Sequence, residues 1–239
     1  MSSSRRIPLE KLIRKSYHFS FYNFLYFLQI SWVGLVIIIL NNALFLGLNN
    51  IVAFVIFTTI NIFAVASISI AWHKKIIANE TVTSSFYLRT DALALNYFGF
   101  AFVLALPSLI LMVIFTFVLE RTSVTAGLYL VLALLIYIIV MRLSLGLPGK
   151  AFGWPGFPFA HIWSKTAHNT LAILAGYIAC TLPVVFGAAA ISVLSFGILA
   201  IPASVIGAVF ITANSLSFMT FAFEYLFEPK QNQTVSENV

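Results

Sequence analysis

Two asparagines lie inside long apolar stretches of the sequence, where few side chains can form hydrogen bonds. Asn61 and Asn214 each fall near the middle of their stretch. In hydrocarbon an amide needs a hydrogen-bonding partner, which is either a neighbouring helix or a bound polar ligand. The sequence leaves both alternatives open: the two amides face each other or a polar pocket, or each bonds to a helix beside it.

Two prolines also interrupt apolar stretches. Pro107 and Pro183 each follow a leucine and lie well inside their stretches. A proline inside a helix removes the hydrogen bond to the carbonyl four residues earlier and bends the helix. Such a bend is either a hinge beside a cavity or a static feature of packing. Because prolines are common in membrane helices, the static interpretation is favoured.

A third candidate site is the segment GLPGKAFGWPGFPF at residues 146–159, which we call the elbow. It contains Lys150 and Trp154, and Lys165 follows it. Aromatic rings and lysines are favoured at the level of the lipid headgroups. The pattern is typical of a rigid interfacial turn, and it also suits a segment that binds a lipid phosphate or the helix of a partner protein.

Residue types that usually carry catalysis do not cluster in this sequence. It has no paired carboxylates, no Ser/His/Asp order in a convincing context, no glycine-rich phosphate loop and a single cysteine, Cys180. The closest pair of its four histidines, His161 and His168, is seven residues apart on one predicted helix face. Metal sites favour tighter spacing and carboxylate support. We therefore predict no catalytic, cofactor-binding or metal-binding residues, and a protein that is not an enzyme.

Composition places these residues in a membrane. Of 239 residues, 61% are hydrophobic and 8% are charged, and the mean hydropathy is +1.02. A soluble domain carries about 25% charged residues, and a helix needs about 20 apolar residues to cross a bilayer core. The sequence therefore predicts an all-α integral membrane protein with six transmembrane helices. The predicted spans are residues 19–40, 51–72, 92–119, 124–141, 171–193 and 199–226.

The six spans pair into three helical hairpins, each preceded by an interfacial amphipathic segment. The first such segment, residues 1–18, is basic and amphipathic and suits an anionic leaflet or a simple topogenic flank. Residues 19–227 form the transmembrane domain. The polar residues 228–239 are predicted to form a disordered tail.

The positions of three basic residues suggest an internal repeat. Arg14, Arg89 and Lys165 are almost evenly spaced, and each stands ahead of a hairpin. A Leu-Pro pair also recurs in the second and third hairpins. Regular spacing of this kind predicts three copies of one structural unit. The copies are placed near residues 14–88, 89–164 and 165–227.

Every lysine and arginine except Arg121 falls on one side of the six spans. Positively charged residues accumulate on the cytoplasmic side of membrane proteins. We therefore predict that both termini and the two long connections lie in the cytoplasm. The formal net charge of +6 then reflects orientation in the membrane and not a nucleic-acid partner.

Three stretches resemble a family of bacterial six-span membrane proteins: AWHK at 71–74 followed by Glu80, RLSLGLP at 142–148, and WSKTAHN at 163–169. The family is that of the uncharacterised YciC-like proteins, and it is similar to the membrane domain of some glycerophosphodiester phosphodiesterases. Asn79 and His168 stand where the family has glycine. The resemblance implies a multi-pass protein of the bacterial inner membrane. It implies no hydrolase activity, because the catalytic barrel of those fusions is missing.

Two functions are compatible with this pattern. The first is a non-enzymatic accessory or scaffold of the inner membrane, in envelope or lipid homeostasis. Its partners are membrane lipids and a membrane protein or a second copy of the chain, and not nucleic acid. The alternative is a transporter or permease for a neutral or lipidic small molecule, and it depends on Asn61, Asn214 and the two prolines. An ion-coupled mechanism is less favoured, because no charged residue lies near the middle of a predicted span.

Overall fold

The computed structural model describes residues 6–45, 50–84, 86–118, 122–154, 159–195 and 197–227. Arg121, part of the elbow and the polar tail lie outside these ranges. Within them the chain is helical and forms no strand. The helices are α1 (Leu9–Tyr22), α2 (Phe24–Phe45), α3 (Ile51–Ala78), α4 (Ala92–Val113), α5 (Ser123–Ser144), α6 (Leu147–Ala151), α7 (Phe159–Thr166), α8 (Thr170–Leu194) and α9 (Ala200–Phe227). A π-helical turn, Ile114–Val118, follows α4, and a 3₁₀ turn, Ala167–Asn169, joins α7 to α8.

Six stretches of helix are long and apolar enough to cross a membrane, which confirms the predicted fold class. They form the hairpins α2/α3, α4/α5 and α8/α9. The first predicted span differs most from the structure, because residues 19–22 belong to α1. Asn23 separates the two helices: its backbone is not helical, and its side-chain amide donates to the Phe19 carbonyl at 2.9 Å.

Polar side chains fix where several helices begin. Asn50 caps α3 and Asp91 caps α4, each by accepting a hydrogen bond from a backbone N–H in the first turn, and Thr122 forms a capping box at the start of α5. Hydrogen bonds from Arg89 lower the pKa of the Asp91 carboxyl to about 2. The cap of α4 is therefore ionised at neutral pH, which suits the positive end of a helix dipole.

The segments that precede the three hairpins take three different forms. α1 is a helix, whereas the described residues between Asn79 and Asp91 form no helix, and the third segment contains α6 and α7. The irregular second segment begins at Asn79, whose left-handed backbone conformation (φ 52°) ends α3. The threefold repeat stays a prediction.

α1 packs against α8 and α9. Its buried side chains include Leu12 and Ser20, and Ser20 Oγ lies 2.9 Å from Ser217 Oγ of α9. At its exposed edge Lys15 Nζ lies 3.6 Å from Glu224. The helix predicted from the basic N-terminal pattern is thus present, and its apolar face is covered by protein.

α9 is the central helix of the bundle and contacts α1, α2, α3, α6, α7 and α8. In the most apolar stretch of α9, 56% of the residues are buried, compared with 6% in α5. α8 approaches α9 closely at Gly176, where a Cβ would overlap the ring of Phe218. The small residues that the sequence places in α8 and α9 therefore serve packing inside the chain.

The lysines and arginines of the described residues gather at one end of the bundle, which we call the basic end. The end of α3, the start of α4, the end of α9 and α6 meet there. α6 contacts α3, α4 and α9, so it closes the bundle at this end. The elbow is therefore the structural element that decides which side chains are presented at the basic end.

Candidate functional site

Arg142, near the end of α5, holds α7, the helix that begins where the elbow ends. Its Nη2 donates to the Trp163 carbonyl at 2.7 Å, and its Nε donates to Thr166 Oγ1 at 3.2 Å. The guanidinium also lies 3.5 Å from the centroid of the Trp163 ring. A planar guanidinium can stack and form directed hydrogen bonds at once, which an ammonium group cannot do. Arg142 therefore fixes α7 relative to α5.

Small residues let the elbow pack tightly. Ala151 of α6 is fully buried, and Gly146 lies so close to Ile162 of α7 that a Cβ would overlap that side chain. Gly153 has a left-handed backbone conformation (φ 70°), which favours glycine. Pro148, Gly149 and Ala151 of α6 are buried, and Lys150 is left half-exposed beside α4.

A buried chain of hydrogen bonds holds α4 against α3 and α9 behind the elbow. The Thr220 hydroxyl donates to the Leu216 carbonyl at 2.6 Å, so it accepts from His73 Nδ1, which lies 2.7 Å away. His73 Nε2 then accepts from the Tyr97 hydroxyl at 3.1 Å. For a neutral imidazole, this arrangement places the proton on Nδ1. Trp72, the residue before His73, donates from its indole N–H to Ser217 Oγ at 2.9 Å.

The sequence indicates these residues only in part. Trp72 and His73 belong to a stretch that carries the family resemblance, but nothing in the pattern pairs them with Tyr97 or Thr220 on distant helices. His161 and His168 are both exposed, and the 3₁₀ turn lies between α7 and α8, so the prediction of a shared helix face is wrong. No group of three or more His, Cys, Asp or Glu side chains converges within the described ranges.

An open groove of about 560 Å³ lies between the elbow and α4, and we call it the elbow groove. Lys150 and Trp154 line it from the elbow. The wall on α4 includes Asn96, Gly99 and Phe100. Two of the residues predicted as site candidates, Lys150 and Trp154, are therefore brought together, while Asn96 and Gly99 were not predicted.

The two polar groups of the elbow groove are free to bind a ligand. No carboxylate of the described residues lies within ion-pair distance of Lys150, whose Nζ is 5.6 Å from the centroid of the Phe100 ring. The Asn96 side chain is exposed and forms no hydrogen bond with any described residue. Lys165, the third candidate near the elbow, lies on α7 and does not line the groove. The groove thus offers one cation and one amide beside apolar walls.

Asn61 and Asn214 do not meet. Asn61 Oδ1 accepts from Asn41 Nδ2 at 2.7 Å, and its own Nδ2 donates to Asn42 Oδ1 at 3.0 Å, so this amide joins α3 to α2. Asn214 Nδ2 donates to the Cys180 carbonyl of α8 at 3.2 Å. Interhelical bonding, one of the two alternatives left open above, accounts for Asn61 and for Nδ2 of Asn214, whereas the buried Oδ1 of Asn214 has no hydrogen-bonding partner among the described residues.

The two prolines also differ in their surroundings. Pro183 removes the backbone donor for the Ala179 carbonyl, and the Tyr17 hydroxyl of α1 donates to that oxygen at 2.9 Å. Burial raises the pKa of Tyr17, so the hydroxyl keeps its proton. Pro107 lies on the exposed side of α4, and no described side chain donates to the Val103 carbonyl four residues earlier. The break at Pro183 is thus held by contacts from another helix.

Comparison with family models, with curated proteins and with solved structures finds no match for this chain. The geometry of the elbow groove is therefore the basis on which a function is argued.

Proposed function

We propose that this chain is a non-enzymatic protein of the bacterial inner membrane, an accessory or scaffold that works with lipids in the cytoplasmic leaflet. The elbow groove carries this proposal, because it combines a cation and an amide that have no carboxylate or hydrogen-bonding partner among the described residues with apolar and aromatic walls. Sites for amphiphiles need both features. The groove lies at the basic end, and the positive-inside rule supports a cytoplasmic position for that end.

The chemistry of the groove supports binding without turnover. Its described lining contains no carboxylate, imidazole, hydroxyl or thiol. Nucleophilic catalysis and general acid–base catalysis usually rely on one of these groups. Lys150 is the one titratable side chain of the described lining, and its Nζ lies 5.6 Å from the centroid of the Phe100 ring.

The alternative of a permease has less support. It depends on Asn61, whose amide is engaged with α2, and on Asn214, whose Nδ2 donates to α8 and whose Oδ1 has no partner among the described residues. Neither asparagine lines the elbow groove, and Pro183 is held by a contact from α1. We therefore favour the accessory or scaffold role.

The proposal is tested by purifying the full-length protein in mild detergent and identifying bound lipids and proteins by mass spectrometry. We expect a lipid class enriched over the bulk membrane, or a partner protein in fixed ratio. Proteoliposomes of the same protein should release no trapped neutral solute and should hydrolyse no lipid. Recovery of neither lipid nor partner contradicts the proposal, as does protein-dependent release or hydrolysis.

A further inference from the structure

The elbow groove runs along α4 as an apolar track that carries two polar groups at different levels. Asn96 and Val103 both line the groove on α4 and are seven residues apart, so the groove follows this helix for roughly 10 Å. Asn96 lies in the second turn of α4, close to the basic end, and Val103 lies deeper along the helix. Lys150 stands beside Phe100, between these two levels. A ligand that fills the groove therefore meets polar groups from the level of Asn96 to that of Phe100, and apolar surface from there to Val103.

Gly99 provides the space for the apolar part. It lies on the groove wall between Asn96 and Val103, and a Cβ built on it would meet nothing within 4 Å. Glycine in a helix interior is less favourable than alanine. Packing against described residues does not require glycine here, in contrast to Gly176, where Phe218 fills the space. Because Gly99 has no side chain, the space beside α4 at this position stays open to a ligand.

The charge of the groove determines which polar group of a ligand it binds. Lys150 supplies one positive charge with no described carboxylate to neutralise it, and no acidic residue is among the described lining residues. An ammonium group and an amide N–H₂ can donate to two oxygens of one phosphate. Aromatic rings such as Trp154, which is 38% exposed, are favoured at the level of lipid headgroups.

We infer that the elbow groove binds one anionic phospholipid. Lys150 and Asn96 hold its phosphate, and an acyl chain passes over Gly99 towards Val103. This inference rests on the proposed function and names the lipid class and the residues that bind it. A free phosphate compound would use the same donors but would leave the apolar track empty, so it is the alternative that the experiment has to separate.

The test uses full-length protein in nanodiscs that contain equal amounts of a phosphatidylglycerol and a phosphatidylcholine of different mass. Native mass spectrometry then reports which lipid stays bound. We expect one phosphatidylglycerol per chain, and Lys150→Gln should reduce its occupancy relative to phosphatidylcholine about tenfold, because a charge-assisted hydrogen bond is lost. Lys75→Gln is the matched control, since it removes the same charge at the basic end outside the groove.

A second variant tests the apolar track separately from the charge. Gly99→Leu should lower the occupancy of both lipids, because the new side chain fills the floor of the groove. Gly127→Leu is its control: this glycine of α5 is also open to its surroundings, and it does not line the groove. All variants should give the same monodisperse elution profile as the unsubstituted protein.

Three results would overturn the inference. Equal loss in Lys150→Gln and Lys75→Gln would mean that net charge, and not the groove, selects the lipid. Unchanged occupancy in Gly99→Leu would mean that the chain lies elsewhere. Displacement of the lipid by millimolar glycerol phosphate would identify a site for a free phosphate compound. In the first two cases a lipid still copurifies, so the broader proposal stands; a protein that retains neither lipid nor partner refutes both.

Discussion

Pro183 leaves the Ala179 carbonyl without a backbone donor, and Tyr17 from another helix supplies one. The hydroxyl lies 2.9 Å from that oxygen, and Asn214 donates to the carbonyl of the following residue, Cys180. An unpaired carbonyl in the apolar interior would be costly. The residues needed to accommodate one proline therefore come from α1 and α9, far apart in sequence.

The Tyr17 contact predicts a specific coupling with Pro183. Tyr17→Phe should lower the free energy of unfolding by about 1 kcal/mol, the usual value of one such bond. In a Pro183→Ala background the same change should cost less, because the backbone N–H restored at residue 183 can serve Ala179. Equilibrium unfolding in mixed micelles measures both values. An equal loss in the two backgrounds would show that the hydroxyl does not act through this carbonyl.

At the scale of elements, the approach of α8 to α9 depends on the absence of one side chain. Gly176 faces the ring of Phe218, which is fully buried and also packs edge-to-face on Tyr177, with ring centroids 5.5 Å apart. The ring has little room to move, because it is enclosed on its other sides by the core cluster of α8 and α9. The spacing of these two helices is therefore set by glycine.

Gly176→Ala should lower the free energy of unfolding by about 1–3 kcal/mol, the usual cost of overpacking a core. Gly187 of the same helix meets nothing within 4 Å, so Gly187→Ala should be neutral or slightly stabilising, since alanine favours a helix. Thermal unfolding of the two variants side by side measures the difference. Equal midpoints would mean that α8 and α9 pack less closely at Gly176 than described above.

At the scale of the whole molecule, the hydropathy of the sequence is enough to predict the six spans, because a long apolar stretch has few alternatives to a membrane helix. The pattern also located the elbow and two of its functional candidates, Lys150 and Trp154. It did not predict that Asn96 lines the same groove as Lys150, or that Asn61 bonds within α2/α3. Those pairings depend on which helices become neighbours. The faces of these helices are so uniformly apolar that the sequence does not predict which helices pack together.

The orientation of the molecule gives a prediction at this scale. In a Cys180→Ser background, a cysteine introduced at Thr122 should react with a membrane-impermeant maleimide added to intact spheroplasts. A cysteine introduced at Ser84, which is exposed at the basic end, should react only after the membrane is permeabilised. Lysine and arginine lie on the Ser84 side of the spans, and this side should be cytoplasmic. The reverse labelling pattern would place the elbow groove in the outer leaflet.

The central position of α9 has a consequence for how the protein is made. Ser20, Trp72 and His73 all find partners on α9, at Ser217, Thr220 and the carbonyl of Ala213. The ribosome makes these three residues more than a hundred residues before it makes their partners. During that interval Ser20 and Trp72 lack their partners on α9, and His73 has only its partner on α4, Tyr97. A chain that stops before α9 would keep those groups facing lipid, which membrane proteases can recognise as incomplete assembly.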